Sequence, residues 1–576
     1  MFASLVAHKK TSYQLCTFFL LSLLATTTTE SIALSMTTTT TAATNDLLPL
    51  DALASTATSY ASAHGVQVEK KHKDDPERSY FECAPISLLP NAYPASAFGQ
   101  AQTVAPAFNL LVDTLSRRPD FLEETLRGVV TADPYTKKLL DLYHQIYVSD
   151  ETKSKFALSA DRLGIHRSDY MLHRRGGENT PYAIKQVELN TIAASFACLS
   201  TRVASLHRHL VQRYPVADFM SANKAAVLAS SASSAVTPED GVPENPALKR
   251  LAYVMKVTHD RYQSRFLNKH ASSSSPPLVI LFVVQEGESN TVDQRLLEFQ
   301  VWEDFQIPIM RRSLTQLSKM ATVDETTGAL LIDDGAYEVA LVYFRAGYAP
   351  TDYPDGGDGV EWQARALLES SRATKCPSLG YHLAGTKKVQ QALARPGVLE
   401  SLYQSGESTS EDIDNMRKAF AGLYALGSDA TDEDYAAVKE VVTNGQQSKY
   451  VLKPQREGGG YNFYGDKLLQ KLQDNVKVQD DGSIELGPKL SEFILMERLF
   501  PPTQKATLLR SGRIEGSGDS ISELGCFGTI LVSSDGESVL HNEYAGFLLR
   551  TKFSGVDEGG VASGFATLSS PFLCHE

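Results

Sequence analysis

Two cations, one carboxylate and three consecutive glycines stand together in Lys453-Pro454-Gln455-Arg456-Glu457-Gly458-Gly459-Gly460-Tyr461-Asn462, directly after an apolar run. Ordering a glycine triplet is entropically expensive. Its backbone freedom is useful where N–H groups must approach phosphate oxygens, or where a flap must move over a bound nucleotide. A bare triplet suits a solvent-exposed turn as well. The flanking Lys453, Arg456 and Glu457 tilt the segment toward phosphate chemistry.

Two further pairs share a spacing of two. In Gln186-Val187-Glu188-Leu189-Asn190 a strand puts Glu188 and Asn190 on one face, so two oxygen donors converge as they do around partly hydrated Mg²⁺. In Leu549-Arg550-Thr551-Lys552 the same period puts two cations on one face, which suits a carboxylate and a phosphate. The plainer readings are a polar strand end for the first pair and a basic, guarded edge strand for the second. Gly380-Tyr-His-Leu-Ala-Gly385-Thr386-Lys387 resembles a Walker phosphate loop, but the order Gly-Thr-Lys is wrong for one and no strand plainly precedes it. Lys387 stays a candidate phosphate ligand, although a lysine beside Lys388 is more often on a solvated face. Gly559 to Gly564 forms a second small-residue loop suited to a lid. No GxSxG elbow, HExxH helix or CxxC pair is present, and the six cysteines lie far apart, which argues for buried thiols rather than a disulfide framework or zinc knuckle.

The elements that must position these residues follow from length and patterning. The 576 residues, 42% hydrophobic and 21% charged, allow several domains or one large α/β unit. The net charge of -13 opposes non-specific binding to nucleic acid or anionic lipid. From about Leu47 to Tyr214 the apolar spacing is mostly helical, with a short strand over Ala183 to Leu189. After loose stretches at 229–246 and 272–277, strands are expected at Leu278 to Val284, Ile307 to Met310 and Val339 to Phe344, with a helix around Val292 to Phe305. Further strands are expected at Tyr450 to Lys453, Phe493 to Glu497, Phe527 to Val532 and Gly546 to Lys552. The expected division is an extension over 1–46, a helical and strand part carrying a metal site over 47–276, a small α/β substrate-binding domain over 277–385, and a body with glycine-rich lid loops over 386–576.

The extension combines His8, Lys9 and Lys10, an apolar run from Leu15 to Ala25, and a tract rich in Thr, Ser and Ala up to Thr44. It reads either as an organelle presequence or as sequence upstream of a true start at Met36. The apolar run is too short to span a bilayer.

Long, ordered stretches of the chain resemble eukaryotic glutathione synthetase, a member of the ATP-grasp ligases. They are His166–Met171 (HRSDYM), Gln186–Ser195 (QVELNTIAAS), Asp293–Arg295 (DQR), Tyr343–Tyr348 (YFRAGY), Ser371–Pro377 (SRATKCP), Leu383–Gln391 (LAGTKKVQQ), Tyr450–Gly460 (YVLKPQREGGG), Ile521–Gly525 (ISELG) and Leu548–Lys552 (LLRTK), and the similarity runs from about Leu47 to Pro571. The resemblance implies an α/β ATP-grasp fold with an inserted small α/β substrate-binding domain and a helical N-terminal part. It implies that Glu188, Asn190 and Glu457 bind Mg²⁺. ATP would be contacted by Glu188, Lys387, the loop from Lys453 through Pro454, Gln455, Arg456, Glu457, Gly458, Gly459, Gly460 and Tyr461 to Asn462, then Tyr464, the hinge Met496, Glu497, Arg498 and Leu499, and Glu523, Lys552 and Glu558. The γ-glutamylcysteine and glycine side would be held by Arg167, Ile192, Ala193, Ala194, Ser195, Glu288, Ser289, Asn290, Gln294, Arg345, Ala346, Gly347, Tyr348, Arg550, Val561 and Ala562. Two positions depart from the family pattern: Glu558 stands where an aspartate is expected, and Ser289 where a basic residue is.

By the same resemblance, Lys387 and Lys453 would act on the γ-phosphate and Arg550 on the oxyanion formed when glycine attacks an acyl phosphate. The resemblance further implies a cytosolic homodimer, with a plastid or other organelle as the alternative destination. Two other functional readings remain open at this level: a ligase using β-alanine in place of glycine, and a catalytically silent ATP-binding regulator.

Overall fold

The computed structural model describes residues 49–75, 77–174, 180–228, 235–267, 276–403, 409–455 and 460–575. The extension up to Asp46 lies outside that set, and the chain from Leu47 on forms one compact unit.

A hairpin of β1 (Gln67–Lys71) and β2 (Ser79–Cys83) and the short β3 (Ile86–Ser87) and β4 (Asn91–Pro94) follow a first helix, Leu50–Ala63. Then come a long helix, Ala95–Ser116, and shorter ones, among them Pro134–Tyr143, whose N-terminus is capped by the Asp133 carboxylate. These lead into β5 (Arg162–His173) and β6 (Ala183–Asn190). The middle of the chain supplies β7 (Leu278–Val283), β8 (Ile309–Arg312), β9 (Thr322–Val323), β10 (Leu330–Ile332), β11 (Tyr337–Phe344) and β12 (Thr374–Cys376). The last third adds β13 (Leu423–Ala425), β14 (Tyr450–Pro454), a small hairpin of β15 (Val476–Val478) and β16 (Ile484–Leu486), β17 (Phe493–Glu497), β18 (Gln504–Arg510), β19 (Arg513–Val532), β20 (Val539–Phe553), β21 (Thr567–Ser569) and β22 (Pro571–Cys574).

Thirteen of these strands form one mixed sheet in the order β18-β3-β21-β20-β19-β5-β12-β11-β10-β9, with β6 on β5 and β7 and β8 joined through β11. Helices cover both faces, and two apolar cores result. One gathers helices Ala95–Ser116, Val360–Ser370 and Leu379–Ala384; the other gathers Leu50–Ala63, Ala197–Arg213, Ala247–Phe266 and Thr291–Phe305. Covered on both sides, β7 and β11 are continuous apolar runs rather than alternating ones, which is why the sequence displays them so plainly. A second sheet, β13-β17-β14, carries its own core with helices Asp432–Val442 and Gly465–Gln473.

The large sheet forks at β5. The start of this strand pairs in parallel with β12, through Arg162 and Lys375, whereas its far half pairs antiparallel with β6. The strands beside β5 therefore diverge, and the side chains of its far half are left facing a cleft.

The expected strands at Ala183, Leu278, Val339, Tyr450 and Phe493 are present to within two residues at each end. Two expectations need correction. The N-terminal region carries six strands besides its helices, and β5 was hidden because its buried middle is His166-Arg167-Ser168-Asp169, which breaks the apolar pattern. The strand expected at Phe527 is the last part of a twenty-residue strand whose first half, rich in Gly, Ser and charge, is half-exposed and carries little hydrophobic signal.

Candidate functional site

The cleft lies between β14 and β17 of the small sheet and the β6, β19 and β20 region of the large one. It encloses about 1170 Å³, counting its open mouth, and is walled by Arg167, Glu188, Asn190, Lys453, Glu523, Arg550 and Lys552 among others.

At its floor Asp169 is fully buried. Its carboxylate accepts two hydrogen bonds from Arg167 (Nε to Oδ1 2.7 Å, Nη2 to Oδ2 2.9 Å), one from Arg550 (2.9 Å) and one from Asn190 Nδ2 (3.0 Å). Arg550 also pairs with Glu523, directly opposite it in the β19–β20 register. Burial alone would disfavour the Arg550 cation, but Glu523, Asp169 and Glu188 outweigh it and hold the guanidinium more firmly protonated than usual. Burial dominates for Glu523 and raises its carboxyl.

Glu188 and Asn190 do share a face of β6, as their spacing requires. The Glu188 carboxylate lies 3.1 Å from Lys387 Nζ. Burial opposes its charge, yet Lys387, Lys453, Arg550 and Arg167 together hold its pKa well below the usual carboxylate range. Lys453 donates to the Val187 carbonyl at 2.8 Å, and burial lowers the pKa of both Lys453 and Lys552. Asn190 gives its amide nitrogen to Asp169 and Glu188, which leaves its carbonyl oxygen as the atom available to a cation. A carboxylate and an amide oxygen are hard donors that fit Mg²⁺. Glu457, the third expected ligand, lies outside the described residues with Arg456, Gly458 and Gly459.

Lys387 is 4% exposed and Lys388 5%, so neither sits on a solvated face. They open the helix Lys387–Ala394, which is anchored to the end of β14 where Lys388 N–H donates to Gln455 Oε1 at 3.0 Å. The glycines of the Walker-like stretch serve packing. A Cβ on Gly385 would stand 2.2 Å from Thr191 Oγ1, and Gly380 lies inside the helix Leu379–Ala384 against Ser116. The basic-edge reading of Arg550 and Lys552 also fails, because β20 is an interior strand.

Beside this cluster an apolar slot of about 810 Å³ runs between Met171, Val187 and Ile521 on one side and Val451, Met496 and Leu499 on the other. It continues the first cleft through Lys453, Tyr464 and Lys552. Its flat, apolar walls beside buried lysines suit an aromatic base attached to phosphates.

On the opposite flank, Arg345 donates to the Ala194 carbonyl at 3.0 Å and to Ser195 Oγ at 2.6 Å. The turn that presents these groups is tight, with Ala193 and Phe196 at positive φ. Asp293 steadies it by accepting the N–H groups of Phe196, Cys198 and Leu199 at 2.7, 3.0 and 3.0 Å. Ile192, Glu288, Asn290 and Tyr348 complete the wall. Gln294 supports Glu288 from behind at 3.2 Å and is held by Arg311 at 2.8 Å. Gly347 has φ 90°, and its N–H, with that of Tyr348, donates to Asp352. Arg345, Ala346 and Gly347 stand behind the wall rather than on it, and Ser289 faces two neighbouring hollows instead.

The loop after β20 closes the cleft. Glu558 accepts the Gly460 and Asn462 N–H groups at 3.2 and 3.3 Å, Asp557 pairs with Arg498 at 2.9 Å, and Lys552 donates to the carbonyls of Asp557 and Glu558. Val561 and Ala562 line the interior, while Tyr461 points outward at 55% exposure.

Sequence reasoning assigned no role to Asp169, Asp293 or Asp557. Asp169 was legible in principle: Arg167-x-Asp169 repeats the spacing of the two pairs that were singled out. Asp293 and Asp557 act on backbone and side chains distant in sequence, and no local signal marks them.

Two sheets closing over buried lysines, oxygen donors and an apolar slot make this an α/β protein of the ATP-grasp type. The chain belongs to the eukaryotic glutathione synthase family, whose ATP-binding domain description matches residues 49–573. Similar proteins include the chloroplastic glutathione synthetase of Solanum lycopersicum, 39% identical over 85% of this chain and 78% of the relative. The glutathione synthetases of Dictyostelium discoideum (36%, covering 91% and 99%) and Homo sapiens (35%, covering 92% and 98%) match almost end to end. Among solved structures, the apo form of a glutathione synthetase-like effector from Globodera pallida shares the fold, with a TM-score of 0.64 at 20% identity over 91% of this chain and 98% of that one.

Proposed function

We propose that the chain is an ATP-dependent ligase that joins the cysteinyl carboxylate of γ-glutamylcysteine to the amine of glycine, giving glutathione, ADP and phosphate. The carrying observation is the convergence of Lys387, Lys453 and Arg550 on Glu188 at the junction of the apolar slot and the Arg345-braced wall. ATP takes the slot, with Tyr464 and the Met496 to Leu499 hinge around the base and Lys453, Lys387 and Lys552 on the phosphates. Arg167, Ser195, Glu288, Asn290 and Tyr348 hold the dipeptide.

The cysteinyl carboxylate attacks the γ-phosphate, and Lys387 and Lys453 stabilise the charge that gathers on the equatorial oxygens. The glycine amine then attacks the acyl phosphate. Arg550, locked by Asp169 and Glu523, faces the resulting oxyanion before phosphate leaves. Glu188 and Asn190, with Glu457, would hold Mg²⁺, which when bound neutralises triphosphate charge. An acyl phosphate hydrolyses readily, so the loops joined by Glu558 exclude water.

Phe299 and Trp302, one turn apart on the helix Thr291–Phe305, are 52% and 50% exposed and form an apolar surface. This apolar surface supports a homodimer. Among the described residues no helix is long and apolar enough to cross a membrane. We place the ligase in the cytosol; a fluorescent fusion of residues 1–46 tests this, since import into an organelle would move it there.

Residues 46–576 supplied with ATP, Mg²⁺ and γ-glutamylcysteine should release ADP only when glycine is added and should form a product with the mass of glutathione. Consumption of β-alanine in place of glycine would redirect the amine assignment. Bound ATP without turnover on any amine would overturn the ligase reading.

A further inference from the structure

On the other face of the large sheet a second cavity lies between the end of the helix Ala95–Ser116, the segment Tyr143 to Leu158 and the paired starts of β5 and β12. It encloses about 1070 Å³ including its mouth, within the range that holds small organic ligands. Most of its wall is apolar: Tyr143 and Tyr147, stacked at 5.8 Å, with Val148, Ala157 and Leu158. Its floor is not. Lys375 on β12 and Arg162 on β5 are direct partners in the sheet, so two cations stand side by side there.

Their charges are handled differently. Arg162 donates to the buried Asp113 carboxylate at 2.7 Å. Lys375, 2% exposed, donates to the Ser371 carbonyl at 2.8 Å and has no ion pair among the described residues. The acid whose charge reaches it, Glu369, is itself taken by Arg365 at 2.9 Å and by the Tyr147 hydroxyl at 2.6 Å. A buried ammonium satisfied by one neutral carbonyl is short of a counter-ion, and burial accordingly pushes its pKa down to about 8. Nothing in the ligase chemistry uses this group, because β5 alternates: Arg167 and Asp169 face the cleft while Arg162 faces this cavity.

We propose that this cavity is a binding site for a small amphipathic monocarboxylate, its carboxylate paired with Lys375 and its apolar or aromatic body laid along Tyr143, Tyr147 and Leu158. The carboxylate supplies the missing counter-ion and the wall supplies the apolar contact. Among the described residues the other charges of this wall have ion-pair partners: Arg117 and Arg162 share Asp113, and Asp161 is held by Arg261 and Arg265. Bound there, the ligand touches the start of the strand whose far end carries Arg167 and Asp169.

Isothermal titration of the full chain with 4-phenylbutyrate, in the presence of saturating ATP and γ-glutamylcysteine to fill the cleft, tests this. One equivalent should bind per chain, and the neutral 4-phenylbutan-1-ol should bind roughly ten- to hundredfold more weakly, as expected for losing one charge-assisted hydrogen bond. Lys375→Met should remove the difference between the two probes. Leu158→Trp, which fills the apolar end without touching the floor, should weaken both. An absence of binding, or equal affinity for acid and alcohol in the unaltered protein, overturns the proposal. Should Lys375→Met fail to fold, acid binding undiminished in Leu158→Trp overturns it as well.

Discussion

The Glu558 carboxylate accepts the backbone N–H of Gly460 at 3.2 Å, and with the N–H of Asn462, two residues on, at 3.3 Å it fastens the loop after β20 to the loop after β14. Both loops are rich in glycine, and this carboxylate joins them, while the Arg498–Asp557 pair ties the loop after β20 to the segment after β17. Glutamate at this position, one methylene longer than the aspartate of the family pattern, still reaches both N–H groups.

Glu558→Ala should separate the two loops. Losing two hydrogen bonds to a charged acceptor should raise KM for ATP roughly tenfold. It should also increase ADP release in the absence of glycine, because water then reaches the acyl phosphate. Steady-state ADP release with and without glycine measures both effects; unchanged values for both would mean that the tie plays no part in closure.

Asp169→Ala leaves the guanidinium groups of Arg167 and Arg550 buried beside each other without their shared carboxylate. Urea unfolding should show a loss of about 3–5 kcal/mol. Arg550→Lys, which keeps the charge, should leave stability much closer to the unaltered protein while kcat falls about 100- to 1000-fold, the range for removing one oxyanion donor.

Glu188 has a depressed pKa, so its charged form contributes stability that is present above its unfolded value of about 4.3 and is lost as pH falls through the folded value. Glu188→Gln should therefore be less stable at neutral pH and should show a flatter acid limb in a plot of unfolding free energy against pH. An acid limb as steep as in the unaltered protein would place the titration elsewhere. Mg²⁺ should also be required at higher concentration for activity.

Burial lowers the pKa of Lys453 and Lys552, so each loses its proton on the alkaline side at lower pH than a free lysine near about 10.4. In the free enzyme kcat/KM for ATP should decline over that range. Bound triphosphate favours the ammonium forms, so the corresponding limb of kcat should lie at higher pH. Coincident limbs in the two profiles would rule out these lysines as the titrating phosphate ligands.

Much of the site was legible in the chain before folding. A spacing of two fixes which side chains share a strand face, because it follows from backbone geometry alone, and Glu188 with Asn190 and Arg550 with Lys552 obey it. The buried strands β7 and β11 announce themselves for an equally local reason. Lys387 shows where such reasoning stops. Two adjacent lysines read as solvated, yet both are buried because the helix they open is packed against β13, β17 and β6, and no pattern near residue 387 contains that fact.

The sequence by itself determined which chemistry was available: cations, oxygen donors, flexible glycine loops and the strands and helices to carry them. Tertiary structure decided who meets whom. Lys387 reaches Glu188, one buried Asp169 locks two arginines from different strands, and Glu558 rather than a glycine fastens the loops. Face and period are set by bond geometry within a few residues, whereas partner choice is set by the packing of distant segments around shared cores, where a buried charge must find its counterpart or be neutralised.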